Sequence, residues 1–61
     1  MKIVKTYRVF KLYIDFDLNY ILLPIDKEVG TEDEALEQLK EVVLLNPDEK
    51  YTILPLFTIA P

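Results

Sequence analysis

FKLYIDFDLNYILLPI, Phe10 to Ile25, decides how this chain folds. Its first half alternates: Phe10, Leu12, Ile14 and Phe16 point one way, and Val9, Lys11, Tyr13 and Asp15 the other. A period of two with β-branched and aromatic residues predicts a long strand over 3–16. Asp17-Leu18-Asn19 is turn-forming, and Tyr20 to Asp26 reads as a second strand. With Leu18-Asn19 as a two-residue loop, Phe16 faces Ile21, Ile14 faces Leu23 and Leu12 faces Ile25, while Lys11 falls opposite Asp26. That register satisfies packing and charge together, so a hairpin with an apolar Phe10–Leu12–Ile14 core face is expected.

Beyond the hairpin, Gly30 precedes Thr31-Glu32-Asp33-Glu34. This is a capping box, in which the Thr31 hydroxyl accepts from the Glu34 amide and the Glu34 side chain reaches back. Three acids in the first turn suit the positive end of a helix dipole. A helix over 31–45 places Ala35, Leu36, Leu39, Val42 and Val43 in one stripe, with Leu44 and Leu45 off it. Asn46 before Pro47 ends the helix. A third strand then runs over 51–57, and the uncharged tail 58–61 continues past it.

The order is therefore β-β-α-β in one domain, 1–61, of the α+β class. A right-handed crossover from the second strand to the third makes those two parallel, and the first fits between them, giving order 2-1-3 with the helix on one face. Pro24 and Pro55 cannot donate to a ladder and so belong to edge strands. One helix covers one face only. The other face is expected to gather Tyr7, Val9, Tyr13, Tyr20 and Leu22, with Phe57 and Ile59 from the closing strand and tail, as a partner-binding surface.

Composition sharpens that expectation. Apolar residues make up 51% of the 61 and charged residues 30%, with no Cys and no His. Chains below about 70–80 residues usually need a staple, and neither a disulfide nor a zinc site can be built from these residue types. Burial against another copy is the remaining route, so a homo-oligomer, most simply a two-fold dimer, is expected. The absence of Cys fits a reducing compartment, and basic residues interrupt the apolar N-terminus where a signal peptide would be uniform, so the expected location is the cytoplasm. If the chain is phage-encoded, that is the host cytoplasm. No stretch is long and apolar enough for a membrane helix.

The chain lacks Ser, Cys and His, which removes acyl-transfer triads, thiol nucleophiles and imidazole acid–base chemistry. No enzyme activity, cofactor or metal is expected. Asp15-x-Asp17-x-Asn19, with Asp26 at the twelfth position, has the outline of a calcium loop, but Tyr20 stands where such a loop needs glycine. A hairpin turn accounts for those residues. Lys5, Tyr7, Val9, Lys11 and Tyr13 mix basic and aromatic residues on one strand face, as single-strand nucleic-acid platforms do. The net charge of −4 argues against a nucleic-acid partner. A small nucleotide held at an oligomer seam, with Lys5, Arg8 and Lys11 as anion contacts, needs no basic protein and forms the rival reading.

GTEDEALEQLKEVV, Gly30 to Val43, resembles the helix of HicB-type antitoxins. The chain differs from that family before the helix, having Pro24-Ile25-Asp26-Lys27-Glu28-Val29 in place of a Pro-Asp-Leu-Pro-Gly-Cys-like segment. An antitoxin-like regulatory role is what that resemblance implies. The run Asn46-Pro47-Asp48-Glu49-Lys50-Tyr51-Thr52-Ile53-Leu54 after a hairpin and helix is similar to short phage and prophage ββαβ proteins. This second resemblance implies stoichiometric binding that inhibits a host defence or regulatory protein. Occlusion of such a target, through an apolar sheet face or a strand edge, is the function expected from the sequence.

Overall fold

A computed structural model describes residues 1–60; Pro61, the last residue of the tail, lies outside them. Four elements follow one another: β1 (Lys2–Ile14), β2 (Tyr20–Val29), α1 (Glu32–Leu45) and β3 (Lys50–Ala60). The strands form one sheet in the order β2-β1-β3, with β1 antiparallel to both neighbours. This is the expected ββαβ layout, and both Pro24 and Pro55 fall on edge strands.

The hairpin register differs from the one the sequence suggested. Ile14 pairs with Tyr20, Leu12 with Leu22, Phe10 with Pro24 and Val9 with Ile25. Lys11 therefore faces Leu23 rather than Asp26. The cause lies in the turn. A two-residue type I′ loop at Leu18-Asn19 would require positive φ at both of those residues. The chain instead turns through Phe16, Asp17 and Leu18, held by Leu18 N donating to Asp15 O (3.1 Å) and Asp15 N donating to Asn19 O (3.0 Å). Asp15 Oδ1 also accepts from the amides of Asp17 and Asn19, each at 2.9 Å. Of the residues in this turn, Leu18 alone takes a positive φ, 62°. β1 ends at Ile14 rather than at residue 16 because Asp15 caps the turn.

β2 also runs further than its alternation implied. Between the Val9–Ile25 and Tyr7–Val29 pairs, β2 spends two more residues than β1. Asp26 takes φ 58°, its carbonyl accepts from Arg8 Nε at 2.9 Å, and Oδ1 accepts from the Lys27 amide. This bulge absorbs the charged residues that appeared to end the strand.

The helix starts as its capping box requires. Thr31 is the N-cap and accepts from Glu34 N at 3.2 Å. The Glu34 carboxylate accepts from the Thr31 hydroxyl at 3.0 Å instead of reaching the Thr31 amide. At the other end Asn46 N donates to Val42 O, and the Tyr51 hydroxyl donates to Asn46 O at 3.5 Å. The inward line of α1 is Ala35, which is buried, with Gln38, Leu39 and Val42 half-buried, while Leu36 and Val43 are left at the rim. Gln38 Nε2 donates to Lys27 O of β2 at 3.4 Å. Leu44 and Leu45 are exposed, as their place off the stripe predicts.

Residues 58–60 are strand rather than free tail: Thr58 pairs with Val4, Ile59 with Ile3 and Ala60 with Lys2. The result is a slab of 40 × 28 × 12 Å across its Cα atoms. Its core is thin. Val9 and Ala35 are the two apolar residues with no exposure among the described residues. Val9 lies on the central strand between Ile25 and Ile53, so one cross-strand row forms the centre of the core.

Candidate interaction surfaces

Alternation along β1 assigns each residue to a face. Val9 is fully buried, Tyr7 shares a cavity with Glu32 of α1, and Lys11 reaches Glu49 just beyond the helix. The helix therefore covers the face of Tyr7, Val9 and Lys11. The sequence had placed that set on the uncovered face and Phe10, Leu12 and Ile14 beneath the helix. This is the main correction, and Arg8 explains it. Arg8 occupies the middle of β1, opposite Leu54, on the same face as Phe10. A helix on that side would bury its guanidinium, at a desolvation cost of several kcal/mol. On the other face the two lysines, Lys5 and Lys11, lie toward the ends of the helix, where their stems can pack and their ammonium groups reach water.

Of the expected partner-binding residues, Tyr20 and Leu22 lie on the uncovered face, paired with Ile14 and Leu12. Val9 is sealed in the core and cannot meet a partner. Tyr7, Tyr13, Phe57 and Ile59 lie on the helix side, and they divide into two groups. Tyr13 stands at the hairpin end, with Lys11 Nζ 4.8 Å from its ring centroid. Lys11 also pairs with Glu49 at 3.4 Å. Its pKa is raised above the ordinary lysine value, chiefly by the hydrogen-bonding Tyr13 side chain; desolvation, the next effect in size, opposes the rise, and Glu49 adds to it. Lys11 is thus already partnered.

The second group sits at the opposite end. α1 begins beside Tyr7 and Pro55, and β1 and β3 continue past it as a two-stranded arm, residues 2–5 with 57–60. On the helix side of this arm Ile3, Phe57 and Ile59 are 66%, 64% and 68% exposed. Lys5 Nζ lies between two rings, 5.2 Å from Tyr7 and 5.4 Å from Phe57. Next to it a cavity of about 250 Å³ is lined by Lys5, Tyr7, Glu32, Ile53 and Pro55. Cation–π contacts and apolar area here form a continuous strip, with one ammonium at its centre and a carboxylate at its edge.

Lys5, Arg8 and Lys11 do not converge. Lys5 is at the arm, Lys11 is held by Glu49, and Arg8 lies on the other face donating to the bulge carbonyl. One cation beside Glu32 makes a poor phosphate site. Asp15 and Asn19 serve the turn, and no group of three or more metal-ligating side chains occurs among the described residues. No helix among them is long and apolar enough to cross a membrane.

Several surface residues were missed in the sequence: Ile3 on the arm, and Phe10, Leu12, Ile14, Leu54 and Leu56 on the uncovered face. The signal that could have found them was Arg8 in mid-strand. No protein family, curated protein or solved structure matches this chain.

Proposed function

We propose that this chain is a non-catalytic binding protein that occludes a protein target through the arm. The single observation carrying this reading is the exposure of Ile3, Phe57 and Ile59 side by side beyond the end of the helix. A few anchors, aromatic side chains prominent among them, supply most of the energy in protein interfaces. The Lys5 ammonium between two rings favours a target segment that presents apolar side chains around a carboxylate. The absence of Ser, Cys and His from the chain agrees with action by binding alone. The similarity to short phage proteins directs the search for the target to host defence and regulatory proteins.

The test is a pull-down from host lysate with the wild-type chain beside a Phe57→Ala/Ile59→Ala variant. A protein retained by the first and lost by the second, at unchanged far-UV circular dichroism, supports the reading. Equal retention by both, or retention by neither, refutes it. A nucleotide that raises the melting temperature by several degrees would point instead to the rival ligand-binding reading.

A further inference from the structure

The sheet face opposite α1 serves a different purpose from the arm. It carries Phe10, Leu12 and Ile14 of β1 between Leu22 of β2 and Leu54 and Leu56 of β3. Among the described residues no element covers it. We propose that a second copy of this chain packs on this face, sheet against sheet about a two-fold axis, giving an α/β/β/α sandwich.

Three observations favour a second copy over any other occupant. The first is area. A folded monomer of 7.2 kDa exposes about 4,100 Å² by the usual size scaling, whereas this chain exposes 4909 Å². The excess of about 800 Å², shared between this face, the arm and the hairpin tip, is of the size one partner contributes to a standard interface. The second is charge. The acids of α1 (Glu32, Asp33, Glu34, Glu37, Glu41) belong to the layer on the other side of the sheet, so face-to-face packing holds the two acidic helices as far apart as the sandwich allows. Any contact through α1 would bring like charges together.

The third is self-complementarity. Arg8 and Glu28 share the uncovered face, where Thr6 Oγ1 donates to Glu28 Oε2 at 2.9 Å. Arg8 uses Nε on the Asp26 carbonyl and makes no ion pair among the described residues. A helix over this face would desolvate the Arg8 guanidinium with no carboxylate to meet it, whereas an Arg8–Glu28 contact between two copies offsets that cost and, being isologous, forms twice. The thin core, in which Val9 and Ala35 alone among the described residues are fully buried, gains the second layer it lacks.

Light scattering on the eluting protein at micromolar concentration tests this. The wild-type chain should have twice the 7.2 kDa chain mass. Leu22→Lys, at a residue 42% exposed on an edge strand, should reduce the mass to one chain while keeping the far-UV circular dichroism. Should that variant unfold, Tyr20→Lys, 68% exposed on the same face, decides the question. Phe57→Ala should leave the mass unchanged, which keeps this result separate from failure of the arm as a binding surface. A wild-type chain of single mass overturns the proposal. So does an assembly that Leu22→Lys and Tyr20→Lys leave intact.

Discussion

Val9→Ala probes whether the helix lies on the face described. Val9 has no exposure and lies in register between Ile25 and Ile53. Removing one buried methylene from a core costs about 0.5–1.5 kcal/mol, so truncating valine to alanine should cost about 1–3 kcal/mol including the cavity. A chain of 61 residues has a total stability of about 3–9 kcal/mol. The substitution therefore removes a large part of it. At about 4–8 °C per kcal/mol for a domain of this size, the melting temperature should fall by roughly 5–20 °C. Thermal melts followed by circular dichroism, all at one protein concentration, measure this. Leu44→Ala is the control: Leu44 is 83% exposed on the helix, and its loss should stay within about 0.5 kcal/mol of wild type. If Val9→Ala is as mild as Leu44→Ala, α1 does not cover the Val9 face, and the assignment of both surfaces is wrong.

Thr31→Ala removes the acceptor of the Glu34 amide and should cost about 1 kcal/mol in urea unfolding, less than Val9→Ala at its central value. Leu18→Gly should raise stability by about 0.5–1 kcal/mol, because a leucine at φ 62° carries a left-handed penalty that glycine lacks. A decrease would mean that the turn does not need the positive φ. Lys11 is expected to act at alkaline pH. Its folded pKa lies above the ordinary lysine value of 10.5, so its contribution is complete below that value and is lost as pH rises through the folded pKa. Lys11→Met should therefore flatten the alkaline limb of a stability-against-pH curve measured in urea, and an unchanged limb would contradict the Tyr13 and Glu49 contacts.

The fold was legible wherever a single local rule decided it. Thr31-Glu32-Asp33-Glu34 states where α1 begins, Asn46-Pro47 where it ends, and the two prolines mark the edges of the sheet. Strand order followed from those elements and their connections. The hairpin register was not legible, because two solutions compete on nearly equal terms. One aligns Leu12 with Ile25 and Lys11 with Asp26, and rewards side-chain pairing. The other aligns Leu12 with Leu22 and rewards the backbone of the turn. The turn prevails, since Asp15 Oδ1 satisfies two amides there. The two registers differ by three residues, an odd number, so every β2 side chain changes face relative to β1. That parity accounts for how the candidate site was misread. The sequence groups Tyr7 and Val9 with Tyr20 and Leu22, although the two pairs lie on opposite faces of the sheet.

Two surfaces on opposite sides of one sheet have a joint consequence. If the uncovered face joins two copies, both arms stay outside the interface, and each dimer carries two copies of the Ile3–Lys5–Phe57–Ile59 strip. A target immobilised at high density could then be held by both arms at once, with avidity above that of one arm by about 10²–10⁴-fold when the geometry permits. The Leu22→Lys chain separates these effects, since it alters the dimer face and leaves the arm intact. Its affinity for a single target molecule in solution should match wild type, while its dissociation from a dense target surface should be much faster. Surface plasmon resonance at two target densities reads both. Equal dissociation of the two chains at high density would show that the arms act singly, and weaker binding in solution would show that the uncovered face itself touches the target.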